Sequence, residues 1–145
     1  MHYQNEVTIS LPRERVSELF QDPEFTRNWQ PMLRELEPIS GEPGAAGSVT
    51  HMHYDENGRV VTLQETIQSN NLPESFTAVY EAPNVYNRCV NHFYKVGDDQ
   101  TRWVMENEFK FTGWMRIMAF FMRGAFPKRT QKDMQAFKMA AEARG

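Results

Sequence analysis

The first residues alternate, with Tyr3, Asn5, Val7 and Ile9 on one side and polar residues between them, which is the period of a strand. After Pro12 the period changes: Val16, Leu19 and Phe20 recur at the three- and four-residue spacings of a helix. Asp22-Pro23 interrupts that helix and starts another, because aspartate caps a helix and proline suits its first position. Phe25 and Trp29 share one face of this second short helix, and Pro31 ends it. From Met32 to Phe111 the period is mostly two. Turn chemistry divides that stretch at Gly41–Gly47, Asn57-Gly58, Asn71–Glu74, Pro83-Asn84 and Gly97–Asp99, which gives an antiparallel meander of about six strands. Helical spacing returns from about Gly113 to Ala143, with Phe126, Met134, Phe137 and Ala141 in one stripe and Lys128, Lys132 and Gln135 opposite. Gly124 and Pro127 predict a kink or break inside it.

The turns also set registers, and the registers decide which side chains share a face. With Asn57-Gly58 as a two-residue loop, Tyr54 opposes Val61, Met52 opposes Leu63 and Thr50 opposes Glu65. In the last hairpin Phe93 opposes Trp103, Asn91 opposes Met105, Cys89 opposes Asn107 and Asn87 opposes Phe109. The other face then pairs Arg88 with Glu108, a sensible exposed cross-strand ion pair. A tight turn at Pro83-Asn84 adds Phe76, Ala78 and Tyr80 to the inner side. A sheet with one apolar face must cover it, and the C-terminal helix is the only long element available. The space between them is expected to be lined by Tyr54, Leu63, Glu65, Phe76, Tyr80, Asn87, Asn91, Trp103, Met105, Asn107 and Phe109. Apolar walls with a few placed polar groups describe a small-molecule site. The interior polar groups are too many for a dry core, since each one left unpaired costs about 1–3 kcal/mol.

The order of elements acquires a relative through particular residues. The run from Asp22 to Pro31 resembles the second-helix region of the START-related, helix-grip superfamily, as does Gly41–Ser48 before the third strand. Glu65-Thr66-Ile67, Leu72-Pro73 and Val85-Tyr86-Asn87 are similar to the bacterial polyketide cyclase/dehydrase-like branch. The resemblance spans the chain and implies an α+β helix-grip fold: a seven-stranded antiparallel sheet wrapped around a long C-terminal helix, with two short helices after the first strand. Residues 1–145 are then one START-like ligand-binding domain. The superfamily holds lipid carriers, quinone binders and aromatic cyclases. The implied roles are binding or transport of a small hydrophobic molecule (lipid, quinone or polyketide-like), or cyclase/dehydratase chemistry with Glu65 as acid–base group beside Tyr80 or Tyr54. Fold analogy does not choose between them.

Composition narrows the partners. One cysteine, Cys89, excludes an internal disulfide and a cysteine-cluster zinc site, and the net charge of −3 argues against nucleic acid. No membrane-span-length apolar run or signal peptide is seen, so a cytoplasmic location is expected. Residues 110–145 carry eight Lys and Arg against two acids, the reverse of the rest of the chain. Within them Trp114–Met122 is apolar on more than one side, which suits a portal, a transient membrane contact or a homodimer contact. His51-x-His53 could be half of a metal site, but its face points outward and no carboxylate pair completes it, so no metal is expected. Phosphate-loop and nucleophile-elbow motifs are lacking, Cys89 has no histidine partner on its face, and no cofactor is indicated.

Overall fold

In the computed structural model, which describes residues 1–145, the chain runs β1 (His2–Ile9), α1 (Arg13–Gln21), α2 (Pro23–Trp29), β2 (Leu33–Ser40), β3 (Val49–Glu56), β4 (Arg59–Asn71), β5 (Ser75–Ala82), β6 (Val85–Gly97), β7 (Gln100–Phe111), α3 (Trp114–Phe121) and α4 (Ala125–Arg144). The junction of the first two helices forms for the reason its residues suggest. Asp22 accepts a hydrogen bond from the Glu24 amide at 2.9 Å, and Pro23 fills the first helical position, where a missing N–H is harmless. The C-terminal helical stretch breaks at Met122–Gly124. Pro127 causes no break, because it lies in the first turn of α4, where no intrahelical donor is required.

All seven strands join one antiparallel sheet in the order β1-β7-β6-β5-β4-β3-β2. Asn57 and Gly58 both take positive φ, 53° and 82°, the geometry of a type I′ turn. The turn places Tyr54 opposite Val61, Met52 opposite Leu63 and Thr50 opposite Glu65. The last hairpin likewise sets Phe93 against Trp103 and Arg88 against Glu108. Arg88 and Glu108 do not form the expected ion pair. The Arg88 Nε donates to Gln68 at 2.9 Å, while Glu108 is taken by His2 at 2.9 Å and Lys110 at 3.8 Å. The β1 edge brings His2 alongside Glu108, a neighbour that a hairpin register alone does not reveal.

The helices do not cover the inner face evenly. α4 packs on β1 and on α2, so the core lies toward one end of the sheet. There Trp103, Phe93, Phe137 and Phe25 are buried, with Phe20 and Trp29 packed against them. The Trp103 and Phe137 rings meet edge to face at 5.1 Å, and Phe25 meets Phe137 at 5.5 Å. A smaller cluster of Ile67, Phe76 and Ala78 extends this core beneath Phe20 and Tyr80.

Candidate functional site

Strand register arranges the inner face in rows running across the sheet. The row Val7, Trp103, Phe93 is buried. Beyond it come Asn5, Met105, Asn91 and Phe76, then Tyr3, Asn107, Cys89, Ala78 and Ile67. The next row is Phe109, Asn87, Tyr80, Glu65 and Thr50, all half-buried. Burial therefore falls, and polarity rises, from the Trp103 end toward the end at which β7 passes into α3.

The expected lining residues divide along this gradient. Trp103 and Phe76 are core residues. Asn91 is 2 % exposed and committed to the fold: its Oδ1 accepts from the Trp103 indole at 2.9 Å and its amide donates to the Phe76 carbonyl at 3.3 Å. Asn107 is buried and accepts from the Asn87 amide at 3.0 Å. Met105 is half-buried against the core. Tyr54, Leu63, Glu65, Tyr80, Asn87 and Phe109 are half-buried.

Glu65 is the centre of that group. The Tyr80 hydroxyl donates to it at 2.8 Å. Burial nevertheless dominates and raises the Glu65 pKa above its ordinary value, since one donor does not replace the water removed from a carboxylate. Tyr80 is pushed well up, first by burial and then by the Glu65 charge, so it stays a hydroxyl donor. Tyr54 is likewise raised by burial and donates to Gln30 at 2.6 Å. The buried Cys89 thiol is pushed up to about 12 by burial, which favours its protonated form.

Sequence reasoning missed what α4 brings. Burial and then the Glu65 charge raise the Tyr54 pKa, and Asp133 and Arg129 of α4 add smaller, opposing effects. Burial raises the Asp133 pKa, and Arg129 partly offsets this through a 3.4 Å hydrogen bond. The helical spacing of residues 129 and 133 was readable in the sequence, but the side of the sheet they approach was not.

The expected space between sheet and C-terminal helix is filled at the Trp103 end, and the Glu65 row is half-buried. Two depressions of about 450 Å³ and 440 Å³ open elsewhere. The first lies on α3, lined by Gly113, Arg116, Ile117 and Phe120. α3 stands at the polar-row end of the sheet, held there by Thr112, whose hydroxyl donates to Asn84 in the β5–β6 turn at 3.0 Å. Its Trp114, Ile117, Phe120 and Phe121 are 61–78 % exposed, and a soluble surface rarely leaves so many large apolar side chains together uncovered. No helix is long and apolar enough to cross a membrane. On the outer face, His51 and His53 point away from α4 as expected, yet a carboxylate does reach them: Glu37 of β2 accepts from His53 at 2.9 Å.

An antiparallel sheet laid on a C-terminal helix, with two short helices after the first strand, defines a helix-grip protein. Solved structures agree on the fold. They include an aromatase/cyclase, Zhui, from Streptomyces sp. R1128 (TM-score 0.81, 20% identity, 99% of this chain and 94% of that one). Ara h 8.0201 is similar at TM-score 0.77 and 14% identity, covering 99% of this chain and 98% of that one. The protein TTHA0849 from Thermus thermophilus is similar at TM-score 0.72 and 20% identity, covering 99% and 96%. No curated protein matches the sequence significantly. Residues 1–142 match the family described as polyketide cyclase / dehydrase and lipid transport, and the chain belongs to it.

Proposed function

We propose that the half-buried inner face binds a small, mainly apolar molecule carrying a polar group, of the lipid, quinone or polyketide kind. The apolar part lies along Leu63 and Phe109, and the polar group meets Glu65, Tyr80 and Asn87. The observation that carries this reading is Glu65 itself. A half-buried carboxylate with one protein donor, set among aromatic and aliphatic side chains, leaves hydrogen-bonding capacity unused. The family description, which includes lipid transport, supports it. α3 is the entry side in this reading. Its exposed aromatic residues, with Arg116 on the helix, Arg123 just beyond it and no acid, suit transient contact with an anionic membrane surface rather than a homodimer of two like-charged helices.

The test is binding of the fluorescent probe 1-anilinonaphthalene-8-sulfonate to wild type and Leu63→Trp. Leu63 is half-buried on the same face as Glu65, so the larger ring covers the proposed binding surface rather than entering the packed core. Loss of at least tenfold in affinity with an unchanged circular dichroism spectrum is expected. Equal binding by both proteins places the probe elsewhere and overturns the reading.

A second reading rests on the raised Glu65 pKa beside the Tyr80 hydroxyl: Glu65 as the general acid of a cyclase or dehydratase. Glu65→Gln separates the two. A carrier keeps its affinity within about tenfold. An enzyme keeps binding but loses about 100-fold in turnover of a polyketide substrate.

A further inference from the structure

The outer face of the sheet presents a second, independent constellation. Glu37 of β2 stands directly opposite His51 of β3, and His53 is two residues farther along the same strand face. One ligand atom from each of the three lies within 4.8 Å of the others. The rings are also held from behind by β4. The His53 Nδ1 is 2.8 Å from the Thr62 hydroxyl, and the His51 Nε2 is 3.2 Å from the Gln64 carbonyl oxygen. With the Gln64 amide oxygen as acceptor, His51 Nε2 is assigned the proton and Nδ1 the lone pair. A threonine hydroxyl both donates and accepts, so it can take an N–H from His53 Nδ1 and free Nε2 for another partner. At present His53 Nε2 points at Glu37 Oε1 at 2.9 Å.

We propose that Glu37, His51 and His53 form a binding site for a divalent transition metal of the zinc class. Two imidazoles and one carboxylate are a donor set that zinc accepts, at bonds of about 2.0–2.2 Å. A tetrahedral ion with such bonds holds its ligand atoms about 3.3 Å apart. The 2.9 Å contact between His53 and Glu37 therefore opens by a few tenths of an ångström and the wider separations close, within the reach of side-chain rotation. Thr62 and Gln64 act as the outer hydrogen-bond partners that fix the tautomer and aim of metal-binding histidines. The fourth position is left for water: a depression of about 440 Å³, lined by Arg34, Glu35, His53 and Val60, adjoins the His53 ring. β2 is an edge strand, joined to β3 through two irregularities in register, so the ion would clamp the least constrained pairing of the sheet. The sequence concealed this site because those irregularities, which no motif marks, decide that Glu37 rather than a neighbour faces His51.

Isothermal titration of the chelator-treated full chain with ZnCl2 tests the proposal. One equivalent is expected to bind with a Kd on the order of 1 µM, about −8 kcal/mol. Thr62→Val touches no ligand atom and is expected to weaken binding about 10–100-fold through the outer hydrogen bond, with an unchanged melting temperature in EDTA. His51→Ala/His53→Ala abolishes the saturable event, whereas His92→Ala, near Glu106 at 3.6 Å, leaves it intact. Zinc binding that survives in the double variant, or no saturable binding below about 100 µM, overturns the proposal.

Discussion

Replacing Glu65 by glutamine probes the most exposed assumption about the inner face. At neutral pH a carboxylate offers about four acceptor positions, and here one protein donor, the Tyr80 hydroxyl at 2.8 Å, serves it. Burial prevails over that bond and holds the folded-state pKa above its ordinary value. The folded protein then binds the Glu65 proton more tightly than the unfolded chain does. Stability is therefore fullest below the ordinary carboxylate range, declines as pH rises toward the folded value, and stays reduced above it. Glutamine keeps an acceptor for Tyr80 and removes the charge, and Thr50 opposite offers a hydroxyl to the new amide. A poorly compensated buried polar group costs about 1–3 kcal/mol, more when charged, and partial exposure brings Glu65 to the low end, about 1 kcal/mol. For a chain of this length that is a rise in Tm of about 3 °C at pH 7. Near pH 4, where wild-type Glu65 holds its proton, the gain should vanish. Differential scanning calorimetry at the two pH values measures both. A variant no more stable than wild type at pH 7, or a gain that persists unchanged at pH 4, refutes the assignment of Glu65 as a desolvated carboxylate.

Three further outcomes follow from the same structure. Trp103→Phe removes the donor to the buried Asn91 oxygen and part of a fully buried ring, so urea unfolding should show a loss of about 3 kcal/mol. Cys89, buried with its thiol pushed up to about 12, should resist a thiol-specific disulfide reagent at pH 8 in the native protein and react fully in guanidinium chloride. Wild type should cosediment with phosphatidylglycerol-containing vesicles more than with phosphatidylcholine vesicles, and Phe120→Ser/Phe121→Ser should lose that excess without loss of fold, because both rings are solvent-facing.

The fold was legible wherever one local feature fixed a long-range consequence. Asn57-Gly58 permits positive φ at both positions, and that single turn aligned eight residue pairs of β3 and β4. Asp22-Pro23 similarly divided two helices at the observed residue. The inner face followed from these registers, but its filling did not. Alternation places Trp103 and Phe109 on the same side without saying that Phe20, Trp29 and Phe137 close over one of them and not the other. That depends on where α4 lies, and a helix stripe specifies which side is buried but not which strand it meets. For this reason Trp103 and Asn91 read as cavity-lining positions in the sequence and serve the core in the structure, while Arg129 and Asp133 went unnoticed.

Whether the half-buried row around Glu65 binds ligand is read by following amide signals of the 15N-labelled protein during titration with 1-anilinonaphthalene-8-sulfonate. Saturable shifts are expected at Leu63, Glu65, Tyr80, Asn87 and Phe109 and along α3, with the outward-facing Thr62, Gln64 and Arg88 less affected. Shifts centred on the outer face, or a titration in which the Glu65 row does not respond, contradict ligand binding there.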